Sequence, residues 1–151
     1  MLKGNLVFSN DVADKIINSN SSSVIIDSAI ELPQNDFKAK INNGVVNFIS
    51  TKYFGGDAVA CQPFYKLKKE DWGAWKLKIH EFCQNGYTDV YAEDALNDIL
   101  NMVTIFPLDI TGDLCMEVDD KNDLEKVMEL LKWKQFILLL VQIYCIMDIL
   151  I

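Results

Sequence analysis

Short β-prone runs alternate along the chain with segments of helical periodicity, and this order constrains the fold more than any other feature. The apolar run Leu6–Phe8 precedes a segment whose apolar residues share one helical face, with Ser9 or Asn10 as its N-cap. A compact strand over 24–26 follows. The opening therefore predicts strand, helix, strand, and the order of the whole chain predicts an α/β fold with a mixed sheet.

The stretch FKAKINNGVVNFIS, residues 37–50, predicts a β-hairpin. Its two β-prone arms flank Asn42, Asn43 and Gly44, residue types that tolerate the positive φ of a tight turn. The later run AVACQPFYKL is also β-prone. Its Pro63 has no N–H for a ladder hydrogen bond, which predicts a sheet edge or a strand end there.

Three helices are predicted in the second half of the chain. Apolar residues recur at helical spacing over 69–84, where Gly86 supplies the stop, and again over 92–103. After a turn over 108–113 and a strand over 114–118, a last helix follows, and Asn122 and Glu125 have the spacing of a capping box. Its inward residues are predicted to be Leu124, Val127, Met128 and Leu131.

Length, charge and cysteine content limit the class of protein. The 151 residues suit one domain, and the formal net charge is −8, with no arginine among the basic residues. Nucleic-acid binding is therefore not expected, because it needs a cationic surface. The four cysteines show no metal-ligand spacing and are expected to be reduced core thiols of a cytoplasmic protein. The N-terminus lacks the sustained apolar region of a signal peptide.

Residues 135–151 form an apolar C-terminal tail, FILLLVQIYCIMDILI from Phe136 onward. A membrane-spanning helix needs about 20 apolar residues, and this run is shorter. A buried terminal element or a tail foreign to the rest of the fold is the favoured interpretation, and membrane attachment is the weaker alternative.

Motifs for several kinds of chemistry are missing. The single histidine, His80, has no nucleophile beside it and is expected to have a surface or packing role. No glycine-rich phosphate loop is present, since Gly55-Gly56 stands alone. Phosphate would have to be bound by lysines and a metal ion. Lys38, Lys40 and Lys52 stand at suitable strand or loop positions, although solvent exposure is the default expectation for each.

Two acidic clusters are candidates for binding. In the first, Glu117 and Asp119 alternate along a strand and share a face, where they could flank a hard divalent cation. The alternative is that Asp119 and Asp120 cap the helix that follows. In the second cluster, Tyr91 and Glu93 could hold a cationic head group, or the acids could simply begin a helix.

Seven segments between residues 4 and 131 carry a family resemblance: GNLVFSNDV, VIID, DFKAKINNGVVNFI, DAVACQPFYKL, DWGAWKLKIHEFCQNG, DVYAEDALND and CMEVDDKNDLEKV. In this order they resemble the C-terminal half of the sugar-phosphate and phosphocholine nucleotidyltransferases. The resemblance is strongest to cytidylyltransferases that act on phosphocholine or 2-aminoethylphosphonate. YAEDALN followed by CMEVDDKNDL is the most specific part.

The resemblance implies a Rossmann-like nucleotidyltransferase fold, in which an oxygen of the phosphorylated acceptor attacks the α-phosphorus of CTP and releases pyrophosphate. Mg²⁺ is the implied cofactor, with Asp119 as its ligand in the E-x-D motif. Lys52 matches a lysine on the acceptor phosphate. Tyr91, Glu93 and Asp94 match the segment that lines the acceptor pocket.

The chain departs from this family in two respects. Gly4-Asn5 replaces the family's Gly-Asp, so Asn5 is a degraded metal position, because an amide is a poorer Mg²⁺ ligand than a carboxylate. The N-terminal nucleotide-binding half is missing, so residues 1–134 are expected to be a partial domain with an incomplete sheet.

The leading hypothesis is therefore a nucleotidyltransferase domain that is inactive as this fragment alone. The alternative is a non-catalytic interaction module, or a split half that pairs with a complementary chain or with a second copy of itself.

Overall fold

The computed structural model describes residues 4–132 and contains two sheets with flanking helices. The larger sheet has five strands in the order β4-β3-β5-β2-β6, and the smaller pairs β1 with β7. Only β6 runs parallel to its neighbour β2; the other pairs are antiparallel. The predicted α/β fold with a mixed sheet is confirmed. The elements are β1 (Leu6–Phe8), α1 (Asn10–Ile17), β2 (Ser23–Asp27), β3 (Lys38–Asn42), β4 (Val45–Ser50), β5 (Ala58–Lys66), α2 (Lys69–Gln84), α3 (Ala92–Asn97), β6 (Phe106–Asp109), β7 (Cys115–Glu117) and α4, helical over 121–132.

The five-stranded sheet separates two apolar clusters. One lies against α2 and α3 and includes Ile26, Tyr65 and Trp75. The other lies against α1 and the β1–β7 pair and includes Ile25 and Cys115. Because adjacent residues of a strand point to opposite faces, Ile25 and Ile26 of β2 reach different clusters. The sheet is therefore packed on both sides.

The predicted hairpin is confirmed as β3 and β4. Its turn is Asn43-Gly44, with φ of 52° and 76°, while Asn42 belongs to the strand. Two consecutive positive φ values are those of a type I′ turn, whose twist matches that of the flanking strands.

The prediction for Pro63 was wrong, and one predicted turn was only partly correct. Pro63 is at neither an edge nor a strand end, because β5 lies in the middle of the larger sheet. Val24 pairs with Tyr65 and Ile25 with Gln62, so Pro63 occupies a bulge, where its missing N–H breaks no regular ladder. The turn predicted over 108–113 is confirmed at 111–113, where Gly112 has φ of 84°, but residues 108–109 are the end of a strand, β6, which is held by parallel pairing to β2.

Helix α2 has its predicted bounds, whereas the predictions for α3 and α4 were partly wrong. The predicted helix over 92–103 ends at Asn97, and tight turns continue the segment, with Ile99 N–H bonded to Leu96 C=O at 3.0 Å. At the start of α4, the backbone N–H groups of Asn122 and Asp123 donate to the side chain of Asp120. The cap is therefore Asp120 and not the predicted capping box of Asn122 and Glu125. Of its four predicted inward residues only Val127 is buried.

The cysteines differ in exposure. Cys61 and Cys115 are buried, as predicted, whereas Cys83 is exposed on α2. His80 is exposed, as expected for a surface residue. The fourth cysteine, Cys145, and the predicted tail 135–151 lie outside the described residues. Within 4–132, no helix has the length and apolar character needed to cross a bilayer.

Candidate functional site

The β1–β7 pair brings Asn5 to the acidic residues of the opposite strand. Leu6 is the register partner of Glu117, and the Val118 N–H donates to the Asn5 carbonyl at 2.9 Å. The side-chain amide of Asn5 donates to Asp119 Oδ1 at 2.6 Å and lies 3.4 Å from Glu117 Oε2. Three residues that the sequence singled out for metal binding therefore form one cluster.

Within this cluster the cap and the candidate cation ligand are different residues. Asp120 Oδ1 accepts from the backbone N–H groups of Asn122 and Asp123, at 2.7 and 3.0 Å, and so caps α4. The carboxylate of Asp119 faces Asn5 instead. Asp119 is exposed and Glu117 is buried. The backbone N–H of Asp119 donates to Asp123 Oδ2 at 3.3 Å at the start of α4, so Asp119 contributes its backbone there while its carboxylate faces Asn5.

The second acidic cluster contains Tyr91, whose ring is exposed, and two acids, Glu93 and Asp94, whose side chains accept hydrogen bonds from within the protein. Tyr91 is 55% exposed, and its ring stands edge-on to Phe37 with centroids 5.1 Å apart. Asp94 accepts the Tyr91 backbone N–H at 2.8 Å and so fixes the start of α3. Glu93 is buried and accepts the Tyr65 hydroxyl at 3.0 Å. Burial, with the nearby Cys61 and Glu93, raises the pKa of Tyr65, so this hydroxyl remains a donor.

Asn97, on the same helix, is also used internally. Its side chain accepts the Ile49 N–H and donates to the Ile49 carbonyl, both at 2.8 Å. The side-chain amide thus makes the same two hydrogen bonds with Ile49 that a residue of a neighbouring antiparallel strand would make, and these bonds hold α3 against β4.

The three lysines have three different surroundings. Lys52 is exposed directly after β4. Lys40 is half-exposed, 3.7 Å from Asp57. Lys38 has no exposed surface, so the default expectation of exposure was wrong for it.

The ammonium of Lys38 is a structural donor. It donates to the carbonyls of Pro33 at 2.8 Å, Gln34 at 3.2 Å and Thr51, and it lies 4.1 Å from the centre of the Phe54 ring. Burial lowers its pKa, and the charge of Asp36 opposes that effect. Lys38 therefore binds the loop before β3 to the loop after β4.

The segment 33–38 lies between the candidate residues. Lys38 ties it to Thr51, the neighbour of Lys52. Phe37 packs against Tyr91. The pKa of Lys126 on α4 is raised, first by its hydrogen bond to Asp123 and then by the charge of that carboxylate, with smaller contributions from the charges of Asp120 and Asp36. The loop that carries Lys52 and the ring of Tyr91 thus both contact the same short segment.

A further polar group, not predicted from the sequence, lies where the parallel strands β2 and β6 end. Asp109 accepts from Ser28 N–H at 3.2 Å, from Thr111 N–H at 3.1 Å and from the Thr111 hydroxyl at 2.8 Å. Partial burial acts in the opposite direction, but these bonds and one from the Ser28 hydroxyl lower the pKa of Asp109 to about 2. The spacing Asp-x-Thr was the only available signal.

The cluster around Asp119 fits one kind of metal site and not another. Mg²⁺ commonly takes one or two protein carboxylates and completes its shell with waters and substrate phosphates. The exposed Asp119 could supply one such carboxylate to an ion carried by phosphates. A resident ion held by protein alone does not fit, since no group of three or more acidic, cysteine or histidine side chains within 4–132 is arranged to hold one.

Comparison with known proteins identifies the fold. No protein-family model matches the chain. No curated protein matches it either. A solved inositol-1-phosphate CTP transferase from T. maritima superposes with a TM-score of 0.64 at 17% identity, over 85% of this chain and 52% of that one. A Bacillus anthracis structure named as a glucose-1-phosphate thymidylyltransferase, in complex with sucrose, gives 0.64 at 16% over the same shares. The chain thus spans about half the length of these proteins, and over that span it has the fold of sugar-phosphate nucleotidyltransferases.

Proposed function

We propose that the chain is the acceptor-binding part of a nucleotidyltransferase that moves a cytidylyl group from CTP to phosphocholine, 2-aminoethylphosphonate or a sugar phosphate. The observation that carries this proposal is the fold match over 85% of the chain to two solved structures, both named for nucleotide transfer to a phosphorylated small molecule. The resemblance of YAEDALN and CMEVDDKNDL to cytidylyltransferases supports the choice of CTP.

The proposed roles follow from exposure and charge. Lys52, exposed beside the Lys38-bound loop, would receive the acceptor phosphate. The exposed ring of Tyr91 would receive the cationic end of an amine-bearing acceptor. Glu93 and Asp94 would support the pocket from inside the protein, since Asp94 accepts the Tyr91 backbone N–H and Glu93 accepts the buried Tyr65 hydroxyl.

Mg²⁺ would reach Asp119 together with the phosphates of the nucleotide and neutralise the charge that develops during transfer. The side chains themselves would then mainly position the reactants and balance charge, which is the usual division of labour in phosphoryl chemistry.

The proposal is tested first by binding. Phosphocholine, 2-aminoethylphosphonate and a sugar phosphate are titrated into the full chain by calorimetry. We expect one of them to bind and Lys52→Ala to weaken that binding about tenfold. Lys40→Ala, which removes a half-exposed lysine from the neighbouring strand, is the matched control and should have little effect. No binding by any of the three, or equal losses in both variants, would contradict the proposal.

Activity is tested separately with radiolabelled CTP, each acceptor and Mg²⁺. Because the chain spans 52% of the solved structures that it resembles, we expect no product at an ordinary enzymatic rate from this chain alone. Rapid product formation would refute the expectation that this chain alone is inactive, and it would support the proposed cytidylyl transfer.

A second candidate is a non-catalytic half that pairs with a complementary chain or with another copy. A broad groove of about 890 Å³ favours it, lined by Ile17, which is 63% exposed, together with Ile16, Phe64, Leu67 and Trp72. Light scattering after gel filtration distinguishes the candidates, because a monomer that binds an acceptor would support the first and contradict self-association.

A further inference from the structure

One amide faces two carboxylates at the position where the resemblance implies a divalent cation. Asn5 Nδ2 lies 2.6 Å from Asp119 Oδ1 and 3.4 Å from Glu117 Oε2. An ionised carboxylate accepts hydrogen bonds and cannot donate them, so the nitrogen end of the amide, with its partly positive hydrogens, must face both acids. The amide therefore supplies some of the positive potential that an ion would provide.

The same geometry leaves little room for an ion on that oxygen. Mg²⁺ binds oxygen at about 2.0–2.1 Å and requires nearly octahedral directions. An N–H group already directed at Asp119 Oδ1 would point at such an ion and repel it. The ion would bind there more strongly after Asn5 turned away, or after it rotated to present its oxygen.

We propose that Asn5 competes internally with divalent cations for Oδ1 of Asp119, so that the hydrogen bond from the amide weakens ion binding at this carboxylate. The chain would then be stable without a metal and would accept one only when other ligands, such as nucleotide phosphates, offset the lost hydrogen bond. The inference rests on the proposed function for placing a divalent cation at Asp119 and for naming it Mg²⁺.

Ion binding to the full chain tests this without any activity measurement. Mn²⁺, a paramagnetic substitute for Mg²⁺, is titrated into the wild type, Asn5→Ala and Asn5→Asp, and free Mn²⁺ is followed by electron paramagnetic resonance. A competitor that is removed should leave Asp119 more available, so Asn5→Ala should bind Mn²⁺ about two- to fivefold more tightly than the wild type. Asn5→Asp adds a carboxylate and should bind at least about tenfold more tightly. Asp119→Asn in either background should abolish the gain.

The Asn5→Ala result is decisive. If Asn5 were instead a ligand through its oxygen, that variant would bind more weakly than the wild type, and if Asn5 had no part, the affinity would be unchanged; either result would overturn the proposal. Asn5→Ser replaces Asn5→Ala if the latter does not fold, as judged by circular dichroism. As an independent measure, Asn5→Asp should melt at a lower temperature than the wild type without Mn²⁺ and should regain stability with it. If the acceptors fail to bind, the proposed function is lost, but these affinity ratios still decide the competition.

Discussion

At the scale of single residues, most of the polar side chains that suggested chemistry are bonded within the protein. Asp120 and Asp94 hold backbone N–H groups at helix starts, and Asn97 pairs with Ile49. Of the candidate site residues, Lys52, Tyr91 and Asp119 keep exposed side chains. These three are therefore the positions where substitution should alter binding more than stability.

Lys38 should show the opposite behaviour. In Lys38→Met the carbonyls of Pro33, Gln34 and Thr51 lose a buried donor, and we expect the free energy of unfolding to fall by about 2–3 kcal/mol. Urea denaturation measures this loss. Lys40→Met is the control, since its exposed ion pair with Asp57 should contribute less than about 1 kcal/mol. Equal effects in the two variants would show that the carbonyl contacts do not stabilise the fold.

Asp109 predicts a pH dependence of stability. Its pKa in the folded chain is lowered to about 2 from an ordinary value of 3.8, so its contribution is fully present above pH 3.8 and is lost as the pH falls through 2. Because the group is only partly buried, we expect about 1–2 kcal/mol. Unfolding free energies of the wild type and Asp109→Asn, measured between about pH 2 and 6, should converge at the acid end. Parallel curves would contradict the assignment.

The sequence singled out Asn5 and Asp119 as separate candidates, but it did not show that they contact one another. Asn5 and Asp119 are 114 positions apart, and only the pairing of β1 with β7 brings their side chains together. Lys38 was missed as a buried donor because nothing in its local sequence shows that two loops will close over it.

At the scale of elements, predictions succeeded where the signal is local. The turn Asn43-Gly44 was predictable because its residue types tolerate positive φ. The strand β6 was not, since it is short, contains Pro107 and depends on a partner, β2, from another part of the chain. The bulge at Pro63 likewise depends on how β2 and β5 pair.

Replacing two glycines by alanine should change the stability of the chain with opposite signs. Gly44→Ala should destabilise the chain by about 1 kcal/mol, because an alanine at φ +76° is strained. Gly73→Ala should stabilise it by about 0.5–1 kcal/mol, because Gly73 lies inside α2 and an added Cβ meets nothing within 4 Å. Thermal or urea unfolding of both variants checks the signs, and a stabilising Gly44→Ala would exclude the type I′ turn.

At the scale of the whole molecule, β2 joins two apolar clusters through neighbouring side chains. Ile25 belongs to the cluster on the α1 side, whereas Ile26 and Trp75 belong to the cluster on the α2 side. Because a strand shared in this way cannot lose one cluster and keep the other intact, we expect residues 4–132 to unfold as one cooperative unit.

Ile25→Ala tests this coupling. It should lower the free energy of unfolding by about 2–4 kcal/mol through the cavity on the α1 side. Tryptophan fluorescence, measured with Trp133 replaced by Phe so that Trp72 and Trp75 of α2 report, should show the same loss as far-ultraviolet circular dichroism. A fluorescence midpoint that does not move would mean that the two layers unfold independently.

The unequal surroundings of the cysteines have a practical consequence. Burial raises the pKa of Cys61, and burial together with Asp27 and Glu117 raises that of Cys115 to about 12, so both remain poorly reactive thiols at neutral pH. Cys83, on the exposed side of α2, is the accessible one among the cysteines within 4–132. After replacement of Cys145 by serine, a maleimide dye would attach at Cys83 and provide a fluorescent handle for following the chain, one molecule at a time, as it meets a partner.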